Sequence, residues 1–435
     1  MKIRLKMSNS HERVLKISNS LAEIIDKNRV ILHFGLWKRE LAVRVDSALP
    51  KDTISIQKKL LDSFSMPDHL LYELKVEGIN LNIGPIIGFV PVVRKELLHE
   101  RNLERYKEYM KNYSDINGLV YMFAANSVNF ENQTIDGFYY DPIDDMWKEG
   151  VFPFPNAIYR KTGFSQSILD GLTTTLGDRI FNSYFFDKWE LWNCLSTTPH
   201  ISKYLPYTEK LQTIDQVDKM LEKYGSVYLK QRAGQKAKGI VKLHKSEEGY
   251  HFVYRLRGEK IINNNNEAEK FIKELNIKKN YVVQQAIAVK QYDERNFDFR
   301  VILQKDNTKE WKCPGIIGRF GKKGSIATNF LLDGFSLNGI ESLKKAFNLN
   351  KRKAFVKEQE IIRVCKEACD LLNEKMGQYG DLGIDVMIDE NLKVWILEIN
   401  KLHDHKFPLY GLDDTQMYYK VISNPILFAK RLGGF

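Results

Sequence analysis

The stretch Gly383–Asn400, GIDVMIDENLKVWILEIN, sets two carboxylates and an amide among apolar residues. Two apolar runs flank Asp389-Glu390-Asn391, a polar turn, so the spacing predicts a β-hairpin. Side chains alternate between faces along a strand, so Glu398 and Asn400 share one face. Asp385 lies on the first strand and can stand across from them. Two carboxylates and an amide oxygen suit Mg²⁺, above all where phosphate oxygens complete its shell. The same residues also fit an antiparallel hairpin with one wet face, and the residue types alone leave both readings open.

Other stretches offer partners for such a site. In VYLKQRAGQKAKGI, Val227–Ile240, a strand ends near Lys230 and a loop carries Gly234 and Gly239. A lysine there can meet phosphate as a point charge, and glycines let backbone N–H groups come close. The loop is not a P-loop, since G-x-x-x-x-G-K-[ST] fails, and an ordinary basic hairpin fits it equally. In FFDKWELWNCL, Lys188 stands at a helix start, where it can simply be solvated. In YVVQQAIAV, Gln284 and Gln285 close a strand with amides that both donate and accept. In FDFRVILQKD, Asp298 and Arg300 share a strand face that Arg319 of GRFGKKGSIATNF can approach. Arginine grips carboxylate or phosphate in a planar fork, and a purely structural Asp–Arg arrangement is the alternative. Beyond Asn400, His403 and His405 offer ring nitrogens to a metal or a proton. Cys365 and Cys369, four apart on an apolar helix face, read as core packing.

The elements that must hold these residues follow from periodicity. Residues up to about Leu81 read as short strands, with a turn near Gly35 and a short helix over Ser55–Phe64 capped by Thr53 or Ser55. GPIIGFVPVV, then a helix across LERYKEYMKNYS, then GLVYMFAANS, form a βαβ signal for a parallel sheet. Helices are predicted at WELWNCLS and IDQVDKMLEKYG, and strands at SVYLKQ, GIVKLHK, YHFVYRL, NYVVQQAIAV and FDFRVILQK. The asparagine run in IINNNNEAEK favours a turn or helix start. The clearest helix is AFVKEQEIIRVCKEACDLLNEKMGQYG. Phe355, Ile361, Ile362, Cys365, Ala368, Cys369, Leu372 and Met376 follow its 3.6-residue period, and Gly377 or Gly380 ends it.

Length and charge bound the rest. A chain of 435 residues suggests two or three domains with real cores. Four cysteines ask for no disulfide framework. The N-terminus lacks an apolar h-region and no window approaches a membrane span, so a soluble, cytoplasmic protein is expected. A net charge of +11 suits anionic partners. Long basic runs are absent, which argues against nucleic acid as the main partner.

In order along the chain, GPIIGF, PNAIYRK, DKW, the Lys230 loop, DFRV and GID…EIN resemble the ATP-grasp superfamily, and within it the YheC/YheD family of endospore coat-associated proteins. Asp385 and Glu398 are 13 residues apart, which agrees with the pattern of D-alanine–D-alanine ligase. The resemblance implies an α+β ATP-grasp fold whose two lobes clasp ATP. The strand-like spacing before it suggests a small β-rich domain at 1–83, and the resemblance places a Rossmann-like pre-ATP-grasp α/β domain at 84–200, the small lobe at 201–290 and the C-terminal lobe at 291–435. It implies Mg²⁺ on Asp385, Glu398 and Asn400, ATP phosphates on Lys188, Lys230 and the Gly234/Gly239 loop, and adenine or ribose near Gln284 and Gln285. Arg300 and Arg319 would stabilise an acyl phosphate. The implied activity is ATP-dependent ligation of a carboxylate, on a small molecule or peptide, to an amine, with spore-coat association. The alternatives are an ATP-binding structural protein and an ATP-grasp kinase. Lys236, Ala237 and Lys238 depart from the usual glycine-rich loop. Asp333-Gly334 replaces the Gly-Gly common in relatives. The tail Lys401–Lys406 lacks the small residue and proline that shape the acceptor pocket.

Overall fold

The computed structural model describes residues 1–234, 239–254, 258–324 and 333–435. Seven strands between Lys2 and Gly84 close into a barrel. Alternation builds it: Ile3 and Leu5, Leu15 and Ile17, Val30, Leu32 and Phe34, and Leu81 and Ile83 all point inward. Gly35 turns the hairpin at φ +59°, and a Cβ there would meet the Phe154 carbonyl oxygen at 2.0 Å. The expected helix over Ser55–Phe64 is a correction. Thr53–Gln57 is instead a strand buried at every position, and only Lys58–Leu61 turns as a 3-10 helix. The strand pairs with Lys2–Ser8 on one side and Val14–Ile17 on the other, and this pairing overrides the helix-like run that follows.

A six-stranded sheet follows, in the order Met146–Pro153, Thr134–Asp141, Leu119–Asn129, Ile86–Val92, Ala157–Arg160, Ile180–Phe181. Ile86–Val92 runs parallel to Leu119–Asn129 and to Ala157–Arg160, and the helix Glu100–Lys107 lies within the first crossover. A second six-stranded sheet, antiparallel throughout, spans Thr208–Ile262 and Tyr281–Gln285. The amphipathic helix Ile214–Tyr224 buries Val217, Met220 and Leu221 in the core of this layer.

The last sheet orders Phe335–Asn338, Trp311–Phe320, Phe297–Lys305, Asp381–Ile388 and Val394–Asn400, all antiparallel. The helix Lys351–Lys375 packs in its core through Ala354, Ile361, Val364, Cys365, Ala368, Cys369 and Leu372. Burial pushes both thiols up, as packing rather than redox chemistry requires. Phe355 is another correction: it is 51% exposed, because the stripe runs through Ala354, one position back. The C-terminal helix Thr415–Leu432 bridges two layers. Met417 and Val421 pack on Ile302 and Ile317, while the Phe428 ring meets Phe181 at 4.9 Å. Among the described residues, no helix is long and apolar enough to cross a membrane.

Candidate active site

The hairpin Asp381–Asn400 is fixed by its turn. Asp389 accepts the backbone N–H groups of Asn391 and Lys393, each at 2.9 Å, and the Trp395 indole at 2.9 Å. The register sets Asp385 opposite Glu398 and Gly383 opposite Asn400. One strand further, Arg300 stands opposite Asp385, and beyond that Asp298 stands opposite Arg319. Sequence alternation and this pairing together place all six side chains on one face.

Charge links them. Arg300 donates to Asp385 at 2.6 and 3.3 Å. Arg319 forks onto Asp298 with two 2.6 Å bonds and reaches Asp385 at 3.1 Å. The Asp–Arg pairing within one strand is thus replaced by pairing across strands. Burial opposes the Asp385 carboxylate, and the charges of Arg300 and Arg319 overcome it and hold its pKa below the usual range. Burial likewise opposes the Arg319 charge, which Asp298 and Asp385 more than restore.

Two lysines arrive from other elements. Asp187 caps the helix Lys188–Ser196 by accepting from Trp189 and Glu190, while Glu190 reaches back to the Asp187 N–H at 2.7 Å. This capping box holds Lys188 at the first helical position. Its ammonium lies 3.3 Å from Glu398 and donates to the Gly234 carbonyl at 2.7 Å. Arg232, in the same loop as Gly234, binds Asp187 at 2.6 Å. Lys230 donates to Gln284 at 2.5 Å, and Gln284 donates to Thr208 at 2.9 Å. Burial lowers the Lys230 pKa to about 8, with Glu398 opposing the shift. Gln285 faces the other way and accepts from the Tyr207 N–H at 3.2 Å, so the two glutamines part. Gly239 adopts φ +73°, and a Cβ there would meet the Gln231 amide at 2.2 Å. Lys236, Ala237, Lys238 and Asn329 lie outside the described residues.

Lys401 was missed as a site residue, because alternation from Asn400 assigns it to the opposite face. The chain leaves the strand there, and its ammonium sits 3.9 Å over the Phe186 ring. Burial lowers its pKa to about 8, again with Glu398 opposing. Three ammonium groups thus feel one carboxylate, a local positive excess that a polyphosphate would neutralise. The donor set for a divalent ion is chemically suitable. Asp385, Glu398 and Asn400 present hard oxygens from facing strands. Asp385 is the most engaged of the three, and a cation there would displace the 3.4 Å contact from the Asn400 amide.

His403 and His405 contact neither Lys188 nor Lys230, and the His405 Nε2 lies 3.0 Å from Lys161 instead. They turn to Asp381 at 2.8 and 2.9 Å, all three buried, in a hydrogen-bonded knot beneath the site. Gly383 gives His403 its place. A Cβ on Gly383 would lie 2.7 Å from the His403 Cβ and 3.3 Å from the Arg300 Cδ. Gly383→Ala is therefore expected to displace both and cost about 1–3 kcal/mol by overpacking, read by chemical denaturation. An unchanged midpoint would show the backbone absorbing the methyl.

Residues 177–432 match the family described as YheC/D like ATP-grasp. The chain is 23% identical over 368 residues to the endospore coat-associated protein YheD of Bacillus subtilis (strain 168), covering 80% of this chain and 79% of YheD. It is 20% identical over 289 residues to YheC of the same strain, covering 64% of this chain and 78% of YheC. Among solved structures, the ATP-grasp ligase PsnB complexed with minimal precursor is similar at 11% identity and a TM-score of 0.46, over 80% of this chain and 99% of PsnB.

Proposed function

Because this chain belongs to the YheC/D-like ATP-grasp family, we propose that it is an ATP-dependent carboxylate–amine ligase that works through an acyl phosphate. The observation that carries the reading is the convergence of Lys188 on Glu398 at 3.3 Å, directly opposite Asp385. Lys188 and Lys230 hold ATP phosphates, and Gln284 fixes Lys230 at the strand end. Asp385, Glu398 and Asn400 would hold Mg²⁺, which would supply positive charge against the phosphate charge. Arg300 and Arg319 border the point where the substrate carboxylate meets the γ-phosphate, and stabilise the charge that develops. An amine then displaces phosphate from the acyl group. Positioning supplies much of the rate, so no covalent protein nucleophile is required. The finer architecture belongs to the same proposal. The barrel at 1–83 is an added β-rich domain, and the sheet within 84–200 is the Rossmann-like element that precedes the small lobe at 201–290 and the C-terminal lobe at 291–435. Spore-coat association, by analogy with YheD and YheC, and a cytoplasmic site of action complete it.

The test is calorimetric ATP binding with and without Mg²⁺, on wild type and Glu398→Ala. Magnesium-dependent binding that weakens at least tenfold in the variant is the expected result, followed by phosphate release with acid and amine. A folded wild type that binds no ATP would sink the reading. Binding without turnover favours the structural alternative, and a stable phosphorylated product favours a kinase.

A further inference from the structure

Arg101 and Arg105 lie four apart on the helix Glu100–Lys107, which puts both guanidinium groups on one face. With His99, Asn102 and Lys406 they line a cleft of about 450 Å³. The helix fully buries none of its residues, so these cations serve no core. Among the described residues, no ion pair joins Arg101, Arg105 or Lys406 to a carboxylate. Of the three acids on these segments, Glu100 makes no ion pair with either arginine, and the other two have partners of their own. Glu104 lies 3.7 Å from Lys107, and Asp404 accepts from the Tyr410 hydroxyl at 2.6 Å and from the Lys406 N–H at 3.0 Å. Three cations thus face one small volume, and none of them is ion-paired among the described residues. Such a concentration of exposed positive charge attracts anions.

The tail Asn400–Lys406 runs from the reaction centre to the cleft. Lys406 follows Asn400 by six residues, at most about 20 Å of extended chain. His403, midway, packs beside Gly383 and Arg300. Lys161 donates to the His403 carbonyl at 3.2 Å, and Arg105 is near enough for its charge to act on Lys161. Lys161 is itself set against the Asp381 carboxylate at 3.8 Å, so what leads from the cleft toward Arg300 is the tail that carries His403 and Lys406.

We propose that this cleft binds a second anionic group of the acyl substrate, so that the acid activated at the nucleotide site carries a further carboxylate or phosphate held by Arg101, Arg105 and Lys406. The proposal rests on the ligase reading for the word substrate, while the anion site itself stands on the cleft. The second group is not consumed. It anchors the molecule at a distance from the reacting carboxylate, and planar guanidinium forks suit either anion.

The probes are citrate and 3-phosphoglycerate, with acetate as the single-charge control, titrated calorimetrically into the full chain without nucleotide or Mg²⁺. Both polyanions are expected to bind at least tenfold tighter than acetate. Arg105→Glu and the double variant Arg101→Gln/Arg105→Gln should each remove at least tenfold of that affinity and leave Mg²⁺–ATP affinity unchanged. Both arginines are exposed, so the variants keep the core intact. Preference for citrate identifies a polycarboxylic acid, and preference for 3-phosphoglycerate a phosphorylated one. Polyanions no tighter than acetate, or binding indifferent to Arg105→Glu, would overturn the site. The ligase reading fails separately. If polyanion binding depends on Arg105 but no acid elicits phosphate release from ATP, that reading falls and the anion site remains.

Discussion

Arg319→Gln is expected to abolish phosphate release and to destabilise the C-terminal lobe by about 3–5 kcal/mol, the usual cost of removing one partner from a buried ion pair. The Arg319 side chain is 12% exposed and Asp298 only 6%, so water cannot replace the fork of two 2.6 Å bonds. Asp385 would lose a third contact at 3.1 Å, and with it part of the positive field that keeps it ionised. Arg319→Lys separates charge from shape. A lysine retains the charge but cannot fork, so it should recover part of the stability and little of the turnover. Denaturant titration and phosphate release, measured on both variants, decide the matter. A glutamine variant as stable as wild type would mean that Asp298 finds other partners. One with wild-type turnover would remove Arg319 from the reaction centre.

How far the site could be read in the sequence depended on whether its members were local. Asp385, Glu398 and Asn400 were legible because one polar turn separates two apolar runs, and strand alternation then fixes the face. Lys188 was legible only with the DKW motif, although the capping box Asp187–Glu190 that positions it was written in the same residues. The cross-strand pairing of Arg319 with Asp298 depends on a register that spacing does not specify. The barrel was less legible still. Its strand Lys2–Ser8 pairs in parallel with Thr53–Gln57, and nothing local announces a partner so distant. The run Lys58–Leu61 then imitated a helix next to a strand whose β-branched residues were the truer signal. Lys401 was hidden because alternation stops where the strand stops.

The Asp381 knot was illegible for the same reason, and it carries the second large effect: Asp381→Asn is expected to cost about 3–5 kcal/mol and to loosen the six-stranded sheet from the C-terminal lobe. Asp381 gathers Tyr159 at 2.5 Å, Gln304 at 2.7 Å, His403 at 2.8 Å and His405 at 2.9 Å, with Lys161 at 3.8 Å. Tyr159 lies on the strand Ala157–Arg160 and Lys161 directly follows it, Gln304 comes from the strand Phe297–Lys305, and the histidines come from the tail. An asparagine keeps the shape, removes the charge and turns one acceptor into a donor, which faces donors already in place. The knot also sets a pH dependence. The His405 ring meets Asp381 at 2.9 Å and Lys161 at 3.0 Å through Nε2, and the Tyr109 hydroxyl at 2.8 Å through Nδ1. Burial lowers its pKa to about 3, with Asp381 opposing, against an ordinary value of 6.5. Between those values the unfolded chain binds a proton that the folded chain does not, so stability rises with pH. His403 is shifted downward by burial too and adds in the same direction. Asp381 is held well below 3.8 despite its burial, chiefly by His405, His403 and Lys161, so its own contribution is lost only at lower pH. From pH 6.5 to pH 5 the fall should be about 1.6 kcal/mol for His405 alone, since the unfolded imidazole is half protonated at pH 6.5 and the full slope of about 1.4 kcal/mol per pH unit is reached only below it. His405→Gln, which can still donate to Asp381, should flatten that slope while Asp381→Asn lowers the whole curve. Denaturation midpoints at pH 5, 6 and 7 for the three proteins test both claims. A wild-type midpoint that does not change across that range would refute the neutral histidine, and an Asp381→Asn curve lying on the wild-type one would refute the knot.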